Sequence, residues 1–177
     1  RFVNFRDLPK SSFGFASPGL EVIELALKTE RLYYDNPHLL EFEATIVHRV
    51  RLDDGQGVVL DRTAFYPASG GQPHDTGTLE GIRVRDCFED EGGRVVHVLD
   101  ALPDDDRVRG VIDGERRRHH MQQHSGQHVL SRAFLSLFDW PTVGFHMSEG
   151  YSTLDLEVGS IGREQIERAE ELANRTV

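Results

Sequence analysis

The chain has 177 residues, with 20 Lys plus Arg against 30 Asp plus Glu and a formal charge of -10. That length suits one domain or two small ones with a real core, and a hydrophobic fraction of 38% with 10 Phe argues against wholesale disorder. No apolar run approaches the ~20 residues of a membrane helix, Cys87 is the only cysteine and cannot form an intramolecular disulfide, and nothing resembles a signal peptide, so a cytoplasmic protein is expected.

Residues 1–29 are rich in Phe, Ser, Gly and Pro without a clean period and read as an N-terminal extension of unknown role. From Glu41 the pattern turns β-like: "EFEATIVHRVRL" alternates and is rich in β-branched residues. "DDGQG" is a turn and "VVLDRTAFY" a second strand. The irregular "PASGGQPHDTG" follows, then two short strands around Gly81, then "RVVHVLD", a polar turn, and "RVRGVIDG". Short strands at this spacing suggest a small barrel or a curled sheet for a domain over 30–112, with the glycine-rich loop in it.

At Asp113 the period changes to about 3.6, and Asp113 suits a helix N-cap. The helix is predicted from near Glu115 to near Phe138, stopped by Pro141, with Leu130, Ala133, Phe134, Leu137 and Phe138 on one core-facing stripe. "TVGFHMS" and "YSTLDLEV" flank Glu149-Gly150 and predict a β-hairpin. "GREQIERAEELANRTV" predicts a second amphipathic helix with Ile166, Ala169, Leu172 and Ala173 inward.

Charge is unevenly spread. Residues 31–115 carry nine basic and eighteen acidic groups, whereas 116–134 hold Arg116, Arg117, Arg118 and Arg132 with no acid, together with four of the nine His. The total discourages a nucleic-acid partner, but local charge steers association more than the total does.

Within that island, "RRRHHMQQHSGQHVLS" places His124 and His128 four apart, so both imidazoles leave one helical face about a turn apart. Two nitrogens so placed suit one metal ion, with zinc the default for imidazole. No Glu follows His124, so the metalloprotease H-E-x-x-H pattern is absent. A zinc site takes three or four protein ligands; His146, Cys87 and nearby carboxylates are candidates on composition alone, and a small buried thiol is the alternative for Cys87. In "RTAFYPASGGQPHDTG", Gly70 and Gly71 permit close backbone approaches that aim N–H groups at an oxygen, with Gln72 and Thr63 nearby; a tight structural loop is the alternative. Arg116, Arg117 and Arg118 admit two readings, phosphate contact or a solvated helix start.

Taken together, "TAFYPASGGQPHDTG", "HHMQQHSGQH" and "FHMSEGYSTLDLEV" resemble the alanyl-tRNA synthetase editing domain and its free-standing AlaX-type relatives, from about Glu30 to Val177. The resemblance implies an α+β fold, a small N-terminal β-barrel followed by an α/β two-layer editing domain over 113–177. It implies a zinc-dependent hydrolase that deacylates alanine tRNA mischarged with Ser or Gly. The family's H-x-x-x-H ligands fall on His124 and His128, its glycine-rich loop on Gly70, Gly71 and Gln72, and its hydroxyl-sensing Thr on Thr63. Family members complete the zinc site with a Cys and a His, four apart, well after this helix. No Cys follows Cys87 here, so the expectation is that the second domain is incomplete at its C-terminus. The competing reading is a non-catalytic tRNA- or protein-binding module that kept the fold and lost the site.

Overall fold

The computed structural model describes residues 28–53, 55–148 and 150–177. The extension read over residues 1–29 lies outside them except for its last two residues, as do Asp54 and Glu149 of the two predicted turns.

The alternating stretch from Glu41 forms β2 (Glu41–Leu52), following a two-residue β1 (Glu30–Arg31) and a 3-10 turn at Leu32–Tyr34. After it come β3 (Gly55–Leu60), β4 (Arg62–Thr63), β5 (Gly77–Leu79), β6 (Ile82–Glu89), β7 (Val95–Leu99) and β8 (Arg107–Ile112). Six of these close into an antiparallel barrel in the order β2-β3-β7-β6-β5-β8. Closure leaves no unpaired edge to recruit another strand.

"VVLDRTAFY" is not one strand. The Asp61 carboxylate accepts from the backbone N–H of Thr45 and of Arg62, both at 2.8 Å. It thereby replaces ladder acceptors and turns the chain. β4 leaves the barrel ladder and pairs in parallel with β1.

The barrel fills from alternate positions. Phe42, Ala44 and Ile46 of β2 meet Val58 and Leu60 of β3, Val84 and Cys87 of β6, and Val108 and Ile112 of β8. On the opposite face of β3, Val59 joins Val50 and Val96 in a second cluster. A register shift between Ile46 and His48 accompanies the change of face along β2. All five residues of β7 are buried, which explains why it is apolar on both faces except at His97.

Helix α1 (Gly114–Phe138) follows, then β9 (Thr142–Met147), β10 (Ser152–Leu156) and α2 (Arg163–Thr176). α1 ends where Asp139 adopts the left-handed conformation (φ 58), and Pro141 follows two residues later. Ala133 and Phe134 pack with Ala169 at the centre of a third cluster, with Leu130, Leu137, Phe138, Leu154, Leu156, Leu172 and Ala173 against it. Ile166 departs from expectation: it is exposed. No helix among the described residues is long and apolar enough to cross a membrane.

The chain divides into two compact units, 28–68 with 74–114, and 69–73 with 115–177. The tip of the glycine-rich loop therefore belongs with α1 and the hairpin, while the stem on either side belongs with the barrel.

Candidate functional site

The glycine loop is a two-residue reversal. Ser69 and Gln72 exchange backbone hydrogen bonds, N–H to O at 3.1 Å and 2.9 Å. Gly70 (φ 58) and Gly71 (φ 80) occupy the turn between them, the backbone that Gly-Gly supplies without a Cβ penalty. The Gly71 carbonyl accepts from Met147 N–H at 2.7 Å, tying the turn to the end of β9. A Cβ on Gly71 would stand 2.0 Å from the Phe145 carbonyl oxygen, whereas one on Gly70 would meet nothing within 4 Å. Gly71 is thus fixed by a close approach, and Gly70 by conformation alone.

The stem of this loop stands on the barrel. Asp75 is fully buried; its carboxylate accepts from Tyr66 N–H at 2.7 Å, and its own N–H donates to Tyr66 O at 3.0 Å. Ala68 N–H donates to Cys87 O, and the His74 ring lies 3.1 Å from both Arg85 O and Asp86 Oδ1.

On α1, His124 and His128 are exposed, with their Nε2 atoms 3.1 Å apart and ring centroids 4.8 Å apart. Zinc–nitrogen bonds of about 2.0–2.1 Å in tetrahedral geometry hold two ligand nitrogens about 3.3 Å apart, so the pair fits two corners of one ion. Among the described residues no group of three or more His, Cys, Asp or Glu could hold a metal. Two histidines are fewer than the three or four protein ligands that a zinc site takes. Cys87 contributes none from where it sits: it is fully buried on β6, and desolvation raises its thiol well above the usual range. His146 lies exposed on β9, paired in register with Thr153.

Whereas the loop tip belongs to the second unit, Thr63 belongs to the barrel unit. It is fully buried, and its Oγ1 lies 2.8 Å from His97 Nε2 and accepts from Phe65 N–H at 3.1 Å. His97 Nδ1 faces Val58 O at 3.3 Å. A carbonyl only accepts, so Nδ1 carries the proton and Thr63 donates to Nε2. Burial lowers the His97 pKa to about 4, against a weaker opposing effect of the Val58 bond. The result is a neutral, satisfied chain from Phe65 to Val58 inside the barrel, which sequence reading missed; a histidine in an otherwise apolar strand was its only signal.

The three arginines separate on the helix: Arg117 is buried, Arg116 half-buried and Arg118 exposed.

A second feature unread in the sequence lies where α1 meets the hairpin. Gln123 and Gln127 extend the core stripe of Leu130 and Phe134 toward the helix start, so amides occupy core-register positions. Ser152 Oγ donates to Gln123 Oε1 at 3.4 Å, and Gln127 Nε2 donates to Ser131 Oγ at 2.9 Å. Polar residues in an apolar register were the available signal.

Comparison with known proteins matches residues 17–116 to the family described as tRNA synthetases class II (A). The chain is 38% identical over 156 residues to the alanyl-tRNA editing protein AlaX-L of Pyrococcus horikoshii, covering 84% of this chain and 38% of that protein. It is 34% identical over 164 residues to AlaX-M of Methanosarcina mazei, covering 84% and 63%. It is 36% identical over 167 residues to the alanine–tRNA ligase of Pyrococcus abyssi, covering 89% and 18%. The chain therefore spans less than two thirds of each of these relatives. The family match covers the barrel and the glycine loop, over half of the chain, and the relatives match 84–89% of it: the chain belongs to the class II (A) tRNA synthetase family, as an editing domain of the alanyl-tRNA, AlaX type.

Proposed function

We propose that this domain hydrolyses the ester joining a wrong amino acid, serine or glycine, to alanine tRNA. The observation that carries the reading is that the glycine turn and the histidine-bearing helix fall in one compact unit of a chain with alanyl-tRNA editing relatives. An aminoacyl ester is already activated, so its hydrolysis needs orientation and charge stabilisation more than a strong nucleophile. The open turn at Gly70 and Gly71 offers backbone N–H groups to a carbonyl oxygen, and Gln72 an amide beside it. Arg118, with Arg116, faces the phosphates next to the ester. Thr63 acts on substrate only by giving up its bond to His97; otherwise it supports the barrel under the loop stem.

The cofactor we propose is zinc, with His124 and His128 as two of its ligands. Bound zinc supplies Lewis acidity at a carbonyl or water. Because the described residues furnish two ligands, no step is routed through the metal, and no general acid or base is assigned.

The test is incubation of the protein with serine-charged alanine tRNA and zinc. Release of serine above the spontaneous rate is expected, and no acceleration overturns the reading. Zinc content checks the cofactor separately. The double variant His124→Ala, His128→Ala is expected to bind zinc at least about 10-fold more weakly than the parent, since even removal of an outer-shell partner costs that much. Unchanged zinc affinity removes the ligand role. The two-ligand count also favours a second reading, a tRNA-binding module without catalysis. It predicts tRNA binding with neither turnover nor stoichiometric zinc.

A further inference from the structure

A pocket of about 250 Å³ opens between α1 and the β9–β10 hairpin, wholly within the second unit. Its polar wall is three amides, Gln122, Gln123 and Gln127, with Ser152 opposite; its apolar wall is Phe145 with Leu154. No charged side chain is among its lining residues. Gly126 creates the space: it sits on the same wall in mid-helix, and a Cβ there would meet nothing within 4 Å.

The hydrogen bonds within the wall leave capacity over. Gln123 uses Oε1 to accept from Ser152, which leaves its NH2 to donate, and Gln127 uses Nε2 toward Ser131, which leaves its Oε1 to accept. The pocket thus presents a donor and an acceptor on adjacent helical turns, over an aromatic ring. That combination suits a flat, neutral heterocycle carrying both a donor and an acceptor on one edge. Unpaired nucleobases are held in this way, stacked on an aromatic side chain and read along the Watson–Crick edge. A phosphate has no cation to meet here. A seryl or glycyl group is too small to fill the space, and the pocket's lining includes neither histidine, so it is not where an ester would react.

We propose that this pocket binds a nucleobase of an unpaired RNA end, and that Gln123, Gln127 and Phe145 are its contacts. The proposal deepens the deacylase reading, since the ester lies at the unpaired end of tRNA, but it is tested without turnover. Adenosine, cytidine, guanosine and uridine, none of which carries a phosphate, are titrated into the protein while the side-chain amide signals of its glutamines are followed by NMR. At least one nucleoside is expected to shift the Gln122, Gln123 and Gln127 signals saturably. Gly126→Leu, which adds bulk to the pocket wall where a Cβ meets nothing within 4 Å and improves helix propensity, is expected to abolish the shifts. Phe145→Ala is expected to weaken binding about 5-fold or more, the cost of losing one stacked base.

Shifts absent for all four nucleosides, or unchanged in Gly126→Leu, overturn the proposal. Saturable shifts without serine release leave the pocket standing and sink the deacylase reading. Serine release with a KM for charged tRNA unaffected by Gly126→Leu, and no nucleoside shifts, does the reverse.

Discussion

Buried inside the barrel, His97 exchanges solvation for two hydrogen bonds, and the one that Nε2 accepts from Thr63 requires the neutral ring. Its folded pKa of about 4 lies below the ordinary 6.5. Between those values the unfolded chain binds a proton that the folded chain does not, so His97's contribution is full above pH 6.5 and is lost as pH falls toward 4. The difference corresponds to about 3 kcal/mol. Urea unfolding of the parent and of His97→Gln at pH 7 and pH 4 measures it. Carboxylates titrate in both proteins and cancel, so the parent should lose about 3 kcal/mol more than the variant on acidification. Equal losses would place the proton elsewhere. This network was illegible because a sequence shows a histidine among valines without showing that a threonine 34 positions earlier completes its bonding. Cys87 was legible as a buried thiol, since a small soft side chain in an apolar strand has few other places to go.

Among the elements, those whose residues speak for themselves were read closely. β2 spans the predicted Glu41–Leu52, and α1 runs from one residue before the expected start to the expected end at Phe138. Alternation over Glu41–Ile46 and a five-residue apolar stripe leave little choice of period. The break at Asp61 and the exposure of Ile166 were not legible, because each depends on a partner: a backbone N–H on a neighbouring strand in one case, the packing surface for the first turn of α2 in the other. The glycine pair lies between these cases. Its turn chemistry was readable, its docking on β9 was not. The two glycines should therefore differ. Gly70→Ala suffers the left-handed conformation alone, about 1–2 kcal/mol. Gly71→Ala suffers that and a Cβ 2.0 Å from the Phe145 oxygen, which must displace the backbone. Urea unfolding should show Gly71→Ala to be the more destabilised by at least about 1 kcal/mol. Equal costs would mean that the turn does not press on β9.

Over the whole molecule the charge of -10 and the proposed tRNA partner stand in tension. Each phosphate neutralised by a cation releases counterions and steepens the fall of affinity with salt, by about 0.7–0.9 in log–log slope per contact. The island supplies Arg116, Arg117, Arg118 and Arg132, but Arg117 is buried, which leaves at most three for phosphates. The acidic remainder repels the polyanion and adds no contacts. Binding of alanine tRNA measured from about 50 to 200 mM salt should therefore give a slope no steeper than about -3. Arg118→Ala and Arg132→Ala should each flatten it by about 0.7–0.9, with affinity falling alike for all tRNA sequences. A slope of about -5 or beyond would require phosphate contacts outside the island, and unchanged slopes in both variants would remove the island from the interface. A shallow slope leaves the base pocket and the reacting end to supply most of the binding, so selectivity would rest on the unpaired terminus and little on the tRNA body.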